Sequence, residues 1–153
     1  MMKPLTPEDL DSIADRLCPL HAKNLCALSF SDVPRAAMPQ PPWIGASIWR
    51  FDEPQVAIGA VITHPNAAST FLYGTDQWGR CIHETTMFAR KMLVPALANA
   101  GIQRISVFAP AEDPTGERWK RMLGCCLEGT MRKWDKHGRD WNLFVMFPQT
   151  TLH

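Results

Sequence analysis

A long helical segment between two short apolar segments constrains this chain more than any other feature. Apolar residues recur at helical spacing over residues 79–100, and Gly101 follows as a typical helix stop. Residues 69–74 before this helix and residues 104–109 after it are rich in strand-forming side chains. Because strand–helix–strand units of this length are almost always crossovers within one sheet, the two strands are predicted to be parallel neighbours.

The other segments predict a mixed α/β (α+β) domain with a central sheet flanked by helices. Thr6-Pro7 and Asp113-Pro114 each combine an N-capping side chain with a proline at the first helical position. No internal repeat or linker composition interrupts the chain, so residues 1–153 are predicted to form one domain. The additional predicted helices are residues 7–17, 20–28 and 114–123, the additional strands are residues 45–51, 55–63, 125–134 and 139–147, and residues 29–43, with four prolines, are predicted to be a loop.

Charge and cysteine content narrow the classes of partner and compartment. Sixteen Lys and Arg against fifteen Asp and Glu give a net charge of +1, so no nucleic-acid partner is expected. No apolar run approaches the roughly 18 residues of a membrane helix, and the first residues lack the apolar stretch of a signal peptide, so neither a membrane nor secretion is expected. Five cysteines without a Cys-x-x-Cys pattern indicate reduced thiols that pack as small hydrophobic residues.

Residues 118–129 and 56–61 carry the most specific patterns in the sequence. The first is a late helix followed by Leu123-Gly124 and a strand, and the second is an early strand with Gly59 after an apolar pair. Together with the element order, they resemble the GCN5-related N-acetyltransferase (GNAT) superfamily over roughly residues 5–147. The resemblance implies the GNAT fold and, for an active member, acetyl-CoA as cofactor and an amine as acceptor.

The loop before the long helix departs from the pattern that the family uses for its cofactor. Family members bind the pyrophosphate on backbone amides of a Gln/Arg-x-x-Gly-x-Gly/Ala stretch, where glycines allow close approach and the helix N-terminus attracts the anion. In this sequence Gln77 is followed at the third position by Arg80, and only Gly79 remains nearby. If the loop is used nonetheless, the resemblance assigns pyrophosphate binding to Gln77, Gly79, Arg80, Cys81 and Ile82.

Residues for proton transfer are also displaced relative to the family. Many active members place a tyrosine four residues before the Leu-Gly glycine, where it protonates the departing thiolate. Lys120 holds that position here, and the single tyrosine is Tyr73. For an active enzyme the candidate general bases are His64 and Glu53, with His83 and Glu84 as further candidates, although each of these residues is more often an ordinary surface or strand-end residue.

A narrower resemblance favours a role without catalysis. Residues 74–78, Gly-Thr-Asp-Gln-Trp, together with the late Arg-Trp-Lys-x-x-Leu-Gly pattern, resemble acetyltransferase-like proteins of short-tailed bacteriophages, which are internal virion or virion-assembly proteins. This implies a degenerate acetyl-CoA site, no required cofactor, and contacts with other virion or assembly proteins in the host cytoplasm or the virion. The alternative is an active acetyl-CoA-dependent N-acetyltransferase that acts on a small amine or a protein. A homo-oligomer stays open under both hypotheses.

Three other patterns have an ordinary structural explanation. His83-Glu84 begins a zinc-protease motif, but Met87 stands where the second histidine ligand belongs, so no metal site is expected. Cys125 and Cys126 are predicted to point to opposite faces of a strand. Residues 117–140 carry seven Lys and Arg against four acids, with two tryptophans near a turn, and favour a solvated hairpin with a cross-strand tryptophan pair over a nucleic-acid surface.

Overall fold

Seven strands form one mixed sheet flanked by helices, which confirms the predicted fold class, although the sequence predicts only six of the strands. The computed structural model describes residues 1–148. The strand order is β1-β2-β3-β4-β5-β7-β6, and every neighbouring pair is antiparallel except β4 and β5, which are parallel. The strands are β1 (Met2–Pro4), β2 (Ile44–Arg50), β3 (Glu53–His64), β4 (Ala67–Gly74), β5 (Arg104–Pro110), β6 (Cys126–Met131) and β7 (Trp141–Met146).

The helices begin where the capping residues predict. The Thr6 side chain accepts a hydrogen bond from the Asp9 amide, and the Asp113 side chain accepts one from the Gly116 amide. The helices are α1 (Pro7–Asp15), α2 (Pro19–Ala27), α3 (Pro34–Ala37), α4 (Ile82–Phe88), α5 (Val94–Asn99) and α6 (Pro114–Met122). No helix within residues 1–148 is long and apolar enough to cross a membrane.

Side chains alternate along β3 between two hydrophobic cores on the two faces of the sheet. Val56, Ile58 and Ala60 pack with the helices of the crossover, whereas Ala57 packs with α1. The core on the crossover side also contains Ile48, Cys81, Phe88, Leu93, Leu97 and Ile105, and the core on the α1 side contains Leu10, Ile13, Met38 and Phe71. Both faces of the central strands are therefore covered, which explains their nearly continuous apolar sequence.

The crossover between β4 and β5 is helical along almost its whole length but is not one regular α-helix. A 3₁₀ turn (Trp78–Cys81) precedes α4, and a π-helical turn (Ala89–Leu93) separates α4 from α5. Pro95 lacks an amide hydrogen and its ring crowds the preceding turn, so an α-helix cannot continue unchanged through it. The wider π turn, in which the Val94 amide donates to the carbonyl of Ala89, lies where the sequence predicts a kink or boundary.

Three local predictions are wrong. Residues 2–4 form an edge strand on β2, which no hydrophobic pattern over so few residues could indicate. One helical turn, α3, lies inside the segment predicted as a loop and begins at Pro34, and its Arg35 pairs with Asp15 at 2.5 Å. The predicted tryptophan pair is absent because Trp141 lies opposite Met131 in register.

The loop between β6 and β7 is organised by the buried carboxylate of Asp135. It accepts hydrogen bonds from Trp141 Nε1 at 2.9 Å, from the amides of His137 and Arg139 at 2.9 and 3.0 Å, and from Arg139 Nε at 2.7 Å. Burial by itself would raise the pKa of Asp135, but these four donors outweigh it and hold the pKa below its usual range. The loop is therefore fixed by a charge rather than by apolar packing.

Replacement of Asp135 should destabilise the protein far more than replacement of an exposed acid in an ion pair. We expect Asp135→Asn to lower the free energy of unfolding by about 3 kcal/mol at neutral pH, because it leaves the buried end of Arg139 without its charge partner. Asp32→Asn, which removes an acid that is 90% exposed and bonded to Lys136, should cost less than about 1 kcal/mol. Urea denaturation of both variants measures the difference, and equal losses would contradict the role of Asp135.

The low pKa of Asp135 also fixes how this contribution depends on pH. The carboxylate stabilises the fold wherever the unfolded chain is ionised, which is above a pH of about 4, and the contribution is lost as the pH falls toward the lower folded pKa. The wild type and Asp135→Asn should therefore converge in stability as the pH falls below about 4.

Candidate functional site

The two parallel strands of the sheet part from each other toward their carboxyl ends. Their pairing consists of Ala67 with Arg104, Ala68 with Ile105 and Ser69 with Ser106, although both strands continue beyond these residues. Each then keeps only its antiparallel partner, β3 for β4 and β7 for β5. This separation leaves the outer backbone edge of β4 without a strand to pair with, and such an edge can bind a ligand or another part of the chain.

The chain itself occupies the last part of that edge. The Gly74 carbonyl accepts a hydrogen bond from the Cys18 amide at 2.9 Å, and the Gly74 amide donates to Nδ1 of His21 at 2.8 Å. The next residue points its amide the other way, to the Gln55 carbonyl of β3 at 2.9 Å, as strand alternation requires. The junction of α1 and α2 thus satisfies both backbone groups of Gly74 that face away from β3.

The loop after β4 is packed onto the same point. A Cβ atom at Gly74 would lie 2.3 Å from Cβ of Trp78, so only glycine fits there. The ring centroid of Trp78 lies 5.0 Å from that of His21. His21, Gly74 and Trp78 therefore form one compact cluster at the end of β4, and we call these three residues the β4-end cluster. Burial of the imidazole lowers the pKa of His21 and favours its neutral form, which can accept the Gly74 hydrogen.

Several amides of the loop are bonded within the loop. The Gln77 amide donates to the Thr75 hydroxyl at 3.2 Å, the Trp78 amide to the Thr75 carbonyl at 3.0 Å, and the Arg80 amide to the Gln77 carbonyl at 3.0 Å. Anion sites at helix N-termini rely on amides that lack such partners. The exposed Asp76 carboxylate further opposes a phosphate at this position.

The residues predicted for the pyrophosphate differ in their accessibility. Gly79 and Arg80 are exposed, Gln77 and Ile82 are half-buried, and Cys81 is fully buried in the core of the crossover. Burial raises the pKa of the Cys81 thiol, so this group is a packed hydrophobic residue. The structure brings these five residues together in one turn, but Cys81 presents its side chain to the interior.

An open cleft of about 550 Å³ lies beside this loop. It is bordered by α1, by the turn between β2 and β3, and by the loop after β4; its lining residues include Arg16, Phe51, Glu53, Gln55, Asp76 and Gln77. The guanidinium of Arg16, which lines the cleft, donates to Glu53 at 2.9 Å and to the Pro54 carbonyl at 2.6 Å. Arg16, the cationic residue that lines this cleft, is thus already hydrogen-bonded to partners within the chain.

Two of the candidate general bases, Glu53 and His64, lie at opposite ends of β3. Glu53 is its first residue, paired with Arg16 in the cleft, and His64 is its last residue and exposed. Eleven residue steps at about 3.3 Å each separate them by roughly 36 Å, so they cannot serve the same reacting group. Glu53 borders the same cleft as Gln77, whereas His64 does not border it.

Lys120 and Tyr73 are both enclosed. Lys120 is 8% exposed, its Nζ lies 5.7 Å from the ring centroid of Phe144, and burial lowers its pKa. The Tyr73 ring stacks on Phe71, with centroids 5.9 Å apart, and burial raises the pKa of its hydroxyl to about 12. Tyr73 therefore belongs to the core on the α1 side, and the structure does not bring it to the late helix.

Other side chains that could take part in chemistry are unreactive or lie far from one another. Cys125 is buried and Cys126 exposed, as strand alternation predicts, and burial raises the pKa of the Cys125 thiol. Within residues 1–148, no group of three or more His, Cys, Asp and Glu side chains is placed to hold a metal ion. In the basic segment, Lys136 and Arg139 are bonded to Asp32 and Asp135.

Comparison with solved structures identifies the fold. An N-acetyltransferase from Staphylococcus aureus Mu50 matches with a TM-score of 0.72 at 10% identity over 97% of this chain and 98% of that one. A GNAT superfamily phosphinothricin acetyltransferase from Sinorhizobium meliloti, solved in complex with AcCoA, matches with a TM-score of 0.69 at 14% identity over 100% of this chain and 95% of that one. The ribosomal-protein-S18-alanine N-acetyltransferase from Escherichia coli matches with a TM-score of 0.66 at 13% identity over 100% of this chain and 98% of that one.

This chain has the GNAT fold. No protein-family model matches its sequence, and no curated protein matches it either. At such low identity the likeness to the GNAT structures shows the fold alone.

His21 is the site residue that sequence reasoning does not find. It lies in a short helix with a weak apolar stripe, 53 positions from the glycine that it contacts. A lone histidine in such a helix carries no local signal, because its partner is a backbone amide that the tertiary fold brings to it. The signal that could have suggested it is indirect: β4 ends in Gly74, and Trp78 follows four residues later, which indicates close packing at that point.

The hydrogen bond to neutral His21 predicts a specific dependence of stability on pH. Because the folded pKa lies below the unfolded value of about 6.5, the contribution is present above that pH and is lost as the pH falls through it. Wild type should therefore lose more unfolding free energy between about pH 7.5 and pH 5.5 than His21→Gln, whose amide oxygen accepts without titrating. His83→Gln, at an exposed histidine, is the control and should follow the wild type; parallel curves for His21→Gln and wild type would contradict the assignment.

Proposed function

We propose that this chain is a GNAT-fold protein with a degenerate acetyl-CoA site that requires no cofactor and acts through contacts with other proteins. The observation that carries the proposal is that both backbone groups of Gly74 that face away from β3 are already hydrogen-bonded. Its amide donates to His21, and its carbonyl accepts from the Cys18 amide. A ligand entering between β4 and β5 has to compete with these two bonds and with the packed ring of Trp78. Each lost hydrogen bond of this kind costs about 1 kcal/mol, and burial of the cluster adds to the cost.

The chemical groups around the site support the same proposal. Pyrophosphate binding needs unbonded amides and positive potential, but the amides of Gln77, Trp78 and Arg80 are bonded and Asp76 adds a negative charge. Protonation of a thiolate needs an acid that is accessible to it. Lys120 holds the family's tyrosine position but is enclosed beside Phe144, so the residues present do not fit acetyl-CoA as a working cofactor.

The proposed setting of these contacts is a bacteriophage particle or its assembly. The support is the resemblance of residues 74–78 and of the late helix to the acetyltransferase-like proteins of short-tailed phages. In this setting the partners are other virion or assembly proteins, and the chain resides in the host cytoplasm or the virion. Mass spectrometry of purified particles from the source of this sequence should detect the chain after salt washing, and its absence from them would contradict a virion role.

An active acetyl-CoA-dependent N-acetyltransferase is the second candidate. Two observations favour it: β4 and β5 part from each other, and solved structures with this fold contain AcCoA. In such an enzyme Gln77, Gly79 and Arg80 would contact the pyrophosphate, and Glu53 would be the base nearer to the loop. A small amine or a protein amine would be the acceptor.

A titration with acetyl-CoA separates the two candidates. A ligand that binds only the folded state at a hundred times its Kd stabilises a protein by about 2.7 kcal/mol, which is several degrees in Tm. We expect no shift in Tm at about 1 mM acetyl-CoA, where an enzyme with micromolar affinity would be saturated. A GNAT enzyme known to bind acetyl-CoA serves as the positive control.

A saturable shift would overturn the proposal if it arises at this loop. Gly79→Asp provides the check, because residue 79 is exposed, an added Cβ meets nothing within 4 Å, and the new carboxylate repels a pyrophosphate. A shift in the wild type that Gly79→Asp abolishes would establish acetyl-CoA binding at the loop.

A further inference from the structure

The cleft bordered by α1, the turn between β2 and β3, and the loop after β4 is a separate cavity from the end of β4. Its volume of about 550 Å³ lies in the range of small-molecule sites. None of the three residues of the β4-end cluster lines it. A ligand can therefore enter this cleft without displacing His21 or Trp78.

An exposed aromatic side chain lines this cleft and is held in an unfavourable backbone conformation. Phe51 has a φ of 58°, and so does Asp52, the other residue of the two-residue turn between β2 and β3. Turns of this kind favour Asn and Gly, because a Cβ atom is crowded in the left-handed region. Packing does not compensate, since Phe51 is 65% exposed. Strained residues of this kind cluster at ligand-binding sites, so Phe51 points to a binding role for the cleft.

Hydrogen bonds fix the walls of the cleft relative to one another. Arg16 of α1 donates to the Pro54 carbonyl at 2.6 Å, which connects α1 to the start of β3. The Thr75 hydroxyl donates to Oε1 of Gln55 at 2.6 Å, which connects the loop after β4 to the same strand. Gln55 is only 1% exposed, so this connection lies in the protein interior. The cleft is therefore preformed, and a ligand does not have to order its walls.

The charges that line the cleft favour a cationic ligand. Arg16 and Glu53 form an ion pair at 2.9 Å, and each terminal nitrogen of the guanidinium makes two hydrogen bonds. Asp76 is exposed and takes part in no ion pair among residues 1–148. With one cation and two acids among its lining residues, the cleft carries a net charge of −1. The carboxylate of Asp76 can accept charge-assisted hydrogen bonds from an ammonium group.

We propose that this cleft binds a small organic ammonium ion, with the charged group at Asp76 and the apolar part against the ring of Phe51. The aromatic ring offers apolar contact area, and its face also attracts a cation. An anionic ligand would meet Asp76 with no free cation to offset the repulsion. This inference goes beyond the proposed function, since the site needs neither acetyl-CoA nor a partner protein.

A titration of the full chain with 2-phenylethylammonium, followed in ¹H–¹⁵N spectra, tests this inference. We expect saturable shifts of the amides of Asp76, Gln77 and residues 51–53, with a Kd of about 1 mM or lower. The neutral analogue 2-phenylethanol has nearly the same shape but no charge. It should therefore bind at least about tenfold more weakly.

Two variants separate the charged contact from the apolar one. Asp76→Asn should weaken binding of the ammonium ion about tenfold and leave binding of 2-phenylethanol nearly unchanged. Phe51→Gly should weaken the binding of both ligands, whereas its Tm should stay the same or rise by a few degrees, because glycine adopts the left-handed conformation without strain. Glu112→Gln is the matched control: Glu112 is an exposed acid outside the cleft and should not affect binding.

Three results would overturn the inference. They are the absence of saturable shifts at the cleft up to about 10 mM ligand, equal affinity for the ammonium ion and the alcohol, and binding that both Asp76→Asn and Phe51→Gly leave unchanged. The titration contains no acetyl-CoA, so failure of this site and failure of the proposed function are read from different experiments.

Discussion

One constraint underlies this structure: the backbone of β4 needs hydrogen-bond partners where β5 leaves it. A strand edge inside a protein cannot keep free amide and carbonyl groups without a large cost, so something has to bond to Gly74. In this chain the amide of Cys18 and the imidazole of His21 do so. The same contact fixes the position of α2, and α2 in turn carries the segment to which Lys136 and Arg139 attach the loop after β6.

The features that produce the fold are thus different from those that a cofactor site needs. The parallel pair, the crossover between its strands and the two cores on either side of β3 follow from apolar patterns that many sequences share, whereas no pattern predicts the separation of β4 from β5. A cofactor site requires unbonded amides, local positive potential and an acid near the sulfur. Here the amides of Gln77, Trp78 and Arg80 are bonded within the loop, Asp76 adds negative charge, and Lys120 is enclosed.

The sequence predicts what depends on local pattern. The caps at Thr6 and Asp113, the crossover and its parallel pair are recognisable because each arises from residues close together in the chain. The three-residue strand β1 has no pattern to detect, and α3 is one turn long. The contact between His21 and Gly74 joins residues 53 positions apart. The sequence around Asp135 looks like an ordinary turn, and the hydrogen bonds to its buried carboxylate become apparent only in the structure. Long-range polar contacts carry no periodicity, so the sequence pattern does not predict them.

The most direct test is the amide resonance of Gly74 in ¹H–¹⁵N spectra recorded with increasing acetyl-CoA. We expect the resonances of Gly74 and of the loop amides from Gln77 to Ile82 to keep their positions, and the Gly74 hydrogen to show a coupling across the bond to ¹⁵N-labelled His21 Nδ1. Saturable displacement of these resonances, with loss of that coupling, would show that acetyl-CoA opens the β4-end cluster and would contradict the central claim.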